Sequence, residues 1–151
     1  MSTLPNETTK RFVAVLNKKI EAGKLMNALG HMTAGFAANY PNIEELGFLQ
    51  YQDKDGGVHP NISHYPFIVL QADNGNQIRA LRNELQTRGI PFIDFTSTMT
   101  VGTSAEQVER TQATPEAELE YWGICTFGSA EVLKPLTKKF SMFRSGTPPS
   151  P

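Results

Sequence analysis

Residues 12–17 read "FVAVLN", an unbroken apolar and β-branched run that ends at the charged Lys18 and Lys19. A run of that kind is the pattern of a strand buried on both faces. Helical spacing begins almost at once. Leu25, Leu29, Met32 and Phe36 fall on one face with Met26 beside them, and Tyr40-Pro41 ends the helix, because the residue before a proline is pushed out of the α region. The same alternation recurs. Residues 67–71 ("FIVLQ") form a second apolar strand. Residues 74–88 carry Ile78, Leu81 and Leu85 at helical spacing and close on Gly89. Residues 91–95 give a third strand and 121–127 a fourth. Between the first helix and the second of these strands, residues 47–52, "DKDGG" and the stretch from Val58 read as a strand and a tight turn, the glycines supplying positive φ. Residues 104–111 are polar and weakly helical, and Thr114-Pro115 breaks them. A last helix over about 129–139 carries Val132, Leu133 and Leu136. Pro135 inside it predicts a kink or a shifted start, at about 3 kcal/mol if interior. Apolar strands alternating with amphipathic helices predict an α/β sandwich around a largely buried sheet.

The chain of 151 residues is long enough for one core, and 39% hydrophobic with 19% charged residues is ordinary for a globular domain. A formal net charge of -1 and a pI near 6.3 provide no global basic field for nucleic acid or an anionic membrane. The single cysteine, Cys125, cannot form an intrachain disulfide, and its apolar setting predicts a buried, inert thiol. The start "MSTLPNETTK" lacks a basic-then-apolar leader pattern, and no apolar run approaches the ~20 residues that span a bilayer. A cytoplasmic protein with no membrane partner is expected. Residues 10–144 form one domain in this reading, with 1–9 and 145–151 as flexible termini.

Two polar clusters stand out. Gly23-Lys24, set between a strand and a helix, invites an anion-binding reading. Neither GxxxxGK[ST] nor GxGxxG is present, so the plain reading is a turn glycine and a solvated lysine. Helix geometry nevertheless puts Lys24, Asn27 and His31 on one side, with ~700° of rotation from the first to the last. The second cluster is "DFTSTMT", residues 94–100. Asp94 falls near a strand end, where sites gather in open α/β sheets. Asp94, Thr96 and Thr98 could then set a carboxylate and hydroxyls beside the Lys24 helix; a capped turn is the plain alternative. "DKDG" at 53–56 fits a turn better than a calcium loop. His59 and His64 lack a third local ligand, so neither a metal nor a cofactor is expected. Arg79, Arg82 and Arg88 are expected on a solvated helix face.

The stretch "KRFVAVLNKKIEAGKLMNALGHMTAG" resembles the opening strand, turn and helix of type II peptidyl-tRNA hydrolases, whose hallmark there is a GKGK turn followed by a small-residue helix with a histidine. Aligned on the histidine, Gly23-Lys24 matches the second GK and His31 the family histidine. The family's D-A-G-x-T-Q motif falls on residues 94–99, keeping Asp94 and Thr98. "YWGICTFGSAEVLKPLTKKFSMF" is similar to the closing strand, loop and helix. A closer resemblance, carried by "DKDGGVHPNIS", the P-F-I-V-L strand, "DFT" and "FGSAEVLKPLTKKFSMFR", is to the domain-of-unknown-function family numbered 2000, which shares that fold.

The resemblance implies a three-layer α/β/α sandwich with a mixed sheet of about four strands, like peptidyl-tRNA hydrolase II. It implies cleavage of the ester of peptidyl-tRNA or a related substrate. In that reading Lys24 holds or polarises the substrate, Asp94 orients a water or the lysine, Thr98 and Asn27 supply hydrogen bonds, and His31 supports them, with Gly23 and Thr96 lining the substrate site. It also implies a homodimer. The sequence departs from the family at Glu21, which stands where the turn has its first lysine, and at Thr96 and Ser97, which replace a glycine and a basic residue. Phosphate neutralisation supplies much of nucleic-acid affinity, so these losses favour a second reading: a non-catalytic module for a small anionic ligand or a protein on the same scaffold.

Overall fold

The computed structural model describes residues 6–144; the expected loose ends at 1–5 and 145–151 lie outside them. The elements run β1 (Lys10–Asn17), α1 (Ala22–Asn39), β2 (Phe48–Gln52), β3 (Val58–Ser63), β4 (Phe67–Ala72), α2 (Gly75–Thr87), β5 (Phe92–Thr96), α3 (Ser104–Gln112), β6 (Tyr121–Ser129), α4 (Ala130–Thr137) and β7 (Ser141–Met142). Short 3-10 turns occupy Ile43–Leu46, Ser97–Met99 and Glu116–Glu118.

The main sheet has five strands in the order β5-β6-β1-β4-β7. β1 and β4 run parallel, while β6 lies antiparallel to β1 and to β5, and β7 antiparallel to β4. The sheet is therefore mixed, with one strand more than the expected four. The extra strand, β7, is held only by Leu70 opposite Met142 and Gln71 opposite Ser141, too short a stretch to show periodicity. β2 and β3 form a separate two-stranded ribbon.

Alternate residues of β1 feed the two sides of the sheet, as the period of two requires. Leu16 packs with Leu25, Ala28 and Met32 of α1 and with Phe95, Trp122 and Cys125. Val13 and Val15 pack with Ile78, Leu81 and Leu85 of α2 and Leu133 of α4. A third cluster of Phe12, Phe36, Leu46 and Phe127 closes the far end of α1. Helices on both faces thus sandwich the sheet. Among the described residues, no helix is long and apolar enough to cross a membrane.

Several local expectations are corrected. Gly23 is not the turn residue: it lies in the first turn of α1, and Lys18 to Ile20 make the turn, closed by the Ile20 N–H on the Asn17 carbonyl at 3.1 Å. Met26 is 71% exposed, outside the apolar stripe, whose buried members are Leu25, Ala28, Met32 and Phe36. Arg79 and Arg82 do not lie on a solvated face. Arg79 Nε bonds Glu116 Oε2 at 2.8 Å, and Arg82 Nε bonds Asp94 Oδ2 at 2.7 Å. Only Arg88, paired with Glu84 one turn back, remains fully at the surface. α4 starts at Ala130, close to the expected boundary, and runs through Pro135.

The "DKDGG" turn forms as its residues dictate. Gly56 takes φ +86°, and Asp53 Oδ1 accepts from the N–H groups of Asp55 and Gly57, each at 2.9 Å.

Candidate functional site

Lys24, Asn27 and His31 stand exposed along the outer side of α1, spaced as three- and four-residue steps allow. They look across a groove toward the 3-10 turn Ser97–Met99 and α3. The groove has two adjoining clefts. One, of about 500 Å3, is lined by Asn27 and His31 from α1, by Thr100, Ser104 and Gln107 opposite, and by Met32, Ile93, Phe95 and Met99 below. The other, of about 450 Å3, is lined by Glu21, Gly23, Lys24, Asn27, Thr100, Val101 and Trp122. Asn27 and Thr100 belong to both, so the two form one polar-walled groove over an apolar floor. His31 stacks on Phe95 with ring centroids 6.2 Å apart. Phe95 packs on Trp122 at 5.9 Å, and the indole N–H of Trp122 donates to Glu120 Oε1 at 2.8 Å.

Charge in the groove is nearly balanced. Lys24 makes no ion pair among the described residues. Glu21, the residue capping the start of α1, lines the same cleft, and its carboxylate folds toward Gly23. Arg110, on α3, does not reach the groove as a free cation. Its guanidinium is spent on the carbonyls of Thr98 (3.2 Å) and Val101 (3.1 Å), which fasten the loop before α3.

The carboxylate and the hydroxyls expected beside Lys24 are elsewhere, and the reason is the strand period. On β5, Ile93 and Phe95 point to the α1 side, whereas Phe92 packs in the α2 cluster. Asp94 shares the parity of Phe92. Asp94 borders the first cleft, but its carboxylate is held by Arg82 of α2, whose guanidinium lies over the Phe92 ring at 5.3 Å. Asp94 is also inside the strand, opposite Ile124, and not at its end.

Thr96 and Thr98 are buried and do not line either cleft. Their hydroxyls lie 2.7 Å apart, and Thr111 Oγ1 reaches both Thr98 Oγ1 and the Gln107 carbonyl at 2.8 Å. The threonines thus form a hydroxyl chain that ties β5 to α3 and so sets the position of the groove wall. Of the residues singled out from the sequence, Gly23, Lys24, Asn27 and His31 are brought together; Asp94, Thr96 and Thr98 support the walls.

Thr100, Ser104 and Gln107 escaped the sequence reading. Gln107 and Ser104 are one helical step apart on α3, a polar spacing that was visible in the chain, but nothing in it says which side of a polar helix faces the sheet. No group of three or more potential metal ligands clusters among the described residues.

Burial pushes the Cys125 thiol up to about 12, consistent with the expected inert cysteine under α1. On the opposite face of the sheet, desolvation and a hydrogen bond to Glu116 push the Tyr121 phenol up to about 12 as well.

Comparison with known proteins fits this architecture. The chain is similar in structure to a protein of unknown function, Atu0240, from Agrobacterium tumefaciens strain C58, with a TM-score of 0.76, 16% sequence identity, and coverage of 90% of this chain and 98% of that one. At that identity the likeness speaks for the fold alone. Among curated proteins, none matches this chain. The family model described as "Protein of unknown function (DUF2000)" matches residues 10–144, nearly the whole of the described structure, and the chain belongs to that family.

Proposed function

We propose that the groove along α1 binds a small ligand bearing a single anionic group, and that the protein acts as a binding module. Lys24 and the first turn of α1, which carries no side-chain cap, receive the anionic group. Asn27, His31, Thr100, Ser104 and Gln107 offer hydrogen bonds to the polar body, and the floor of Met32, Ile93 and Phe95 takes its apolar part. Glu21 beside Lys24 limits the negative charge that the groove accepts, which disfavours a polynucleotide.

The observation that carries this reading is the bond between Asp94 and Arg82. It takes the only carboxylate expected to orient a water or the lysine and holds it on the other face of the sheet.

A second reading is ester hydrolysis of peptidyl-tRNA on a scaffold like that of peptidyl-tRNA hydrolase II. The shared groove position of Lys24, Asn27 and His31 favours it. It requires Asp94 to leave Arg82.

A thermal-shift screen with carboxylate- and phosphate-bearing metabolites separates the two. Under the binding reading, some compounds stabilise the protein, Lys24→Ala weakens them about tenfold, roughly 1.4 kcal/mol, and Asp94→Asn leaves them unchanged. A screen in which no anionic compound depends on Lys24 sinks that reading. Incubation with a peptidyl-tRNA tests the other: cleavage that disappears in both Lys24→Ala and Asp94→Asn establishes it, and absence of cleavage removes it.

A further inference from the structure

The ribbon of β2 and β3 makes its principal contacts within itself, and its residues are largely exposed on both faces. A lone two-stranded ribbon is marginal in water, and stability normally needs a third strand or a packed face. The two edges of this ribbon differ. β3 contains Pro60, which has no N–H to donate, and it carries the extra residue of a bulge. Between the pairs Leu49–Ile62 and Tyr51–His59, Gln50 alone faces Pro60 and Asn61. Proline and a bulge are the devices that blunt a strand edge. β2, "FLQYQ", has neither, and it has no charge.

The hydrogen bonding fixes which groups β2 leaves open. The Gly47 carbonyl accepts from the His64 N–H at 2.8 Å, and the Asp53 N–H donates to the Gly57 carbonyl at 2.9 Å. Residues 47, 49, 51 and 53 therefore turn their backbone groups toward β3, and Phe48, Gln50 and Gln52 turn theirs outward. Among the described residues, no strand pairs with that edge.

We infer that β2 pairs with β2 of a second copy of this chain, antiparallel, about a two-fold axis at Gln50. In that register Gln50 faces its own copy and Phe48 faces Gln52 of the second copy. These are the residues with outward groups, so every one of them finds a partner, in about six inter-chain backbone bonds. Leu49 then faces Tyr51 of the second copy in the closer, non-hydrogen-bonded position, where aromatic and aliphatic side chains pair well. The edge is self-complementary, which is the requirement of an isologous interface. It is this property that selects a second copy over a foreign strand.

The exposed side chains agree. Phe48 and Tyr51, on β2 itself, are 37% and 47% exposed, and Ile43, which lines a cleft with Phe48, is 53% exposed. Pairing also turns two ribbons of two strands into one sheet of four. This inference is independent of what the groove binds.

Sedimentation velocity on the full chain over two decades of concentration reads the result directly. A monomer–dimer equilibrium is expected. Gln50→Lys and Gln50→Glu set like charges opposite each other at the axis, so each alone weakens association about tenfold or more. Mixing the two variants restores dimer, because Lys then faces Glu. Gln50→Pro, which removes only an outward N–H, also weakens it. Three results would overturn the inference: a wild-type chain that stays monomeric throughout, a dimer indifferent to Gln50→Lys, or charge variants that fail to rescue each other. A monomer that instead captures a foreign strand along β2 counts among the first of these.

Discussion

Arg82 Nε and Asp94 Oδ2 lie 2.7 Å apart, joining α2 to the outermost strand of the main sheet with about four-fifths of each side chain out of solvent. Removing the carboxylate leaves a guanidinium over Phe92 and Tyr121 with its main partner gone. Asp94→Ala is therefore expected to lower stability by about 1–3 kcal/mol, discounted from a fully buried pair. Urea unfolding measures it. Lys24→Ala, at an exposed site, is expected to stay within about 0.5 kcal/mol. Equal costs for the two substitutions would contradict the assignment of Asp94 to the framework and Lys24 to the groove.

Tyr121 supplies a signature at high pH. Desolvation, and then its 2.8 Å bond to Glu116, raise its phenol from 10 to about 12. The unfolded chain ionises first, so between about pH 10 and 12 it binds fewer protons than the native chain, and stability falls as pH rises through that window. Below pH 10 the contribution is constant. Ultraviolet difference titration of the native protein should show Tyr121 lagging furthest, with Tyr40, raised by burial and by Glu45, lagging less, and Tyr121→Phe should remove the later of the two.

Gly75 opens α2 directly against β6. A Cβ there would meet the Tyr121 carbonyl oxygen at 3.1 Å and the Tyr121 nitrogen at 3.2 Å, both backbone atoms that cannot rotate away. Gly75→Ala is expected to cost about 1–2 kcal/mol, although alanine is the better helix former. A rise in the thermal midpoint would mean that propensity outweighs the close approach.

Cys125 is fully buried under α1, and its thiol is pushed up to about 12 by burial alone. A disulfide reagent such as Ellman's should label it only through unfolding. The expected result is slow labelling in buffer, fast labelling in urea, and a rate that follows stability across the variants above.

Much of this fold was legible because burial writes a period into the chain. "FVAVLN" could only be a strand with both faces covered, and Leu25, Met32 and Phe36 could only be one side of a helix. Half of the candidate site could be placed for the same reason, since Lys24, Asn27 and His31 lie opposite that apolar side. The other half was lost at Asp94. Treating it as the end of a strand ignored the alternation of Phe92 with Ile93 and Phe95, which already assigned the carboxylate to the far face. β7 left no trace because a two-residue strand has no period to detect. α3 was legible as a weak helix over 104–111, but the side it turns to the groove was not, because its fastening is polar: Thr111 and Arg110 bond to the loop at Thr98 and Val101, and hydrogen bonds of that kind do not appear as hydrophobic spacing.

That difference between the two sides of the groove has a mechanical meaning. α1 is nailed down by four buried residues, whereas α3 buries none and is fastened through the threonine chain and the Arg110 clamp. Water can replace each of those polar fastenings at little net cost, while nothing comparable replaces the apolar contacts of α1. The groove thus has a fixed jaw and a latched one. Amides of α3 should exchange with solvent well ahead of those of α1, and under the proposed binding function a ligand too broad for the resting groove would be admitted by releasing the latch, with the core of the domain left intact.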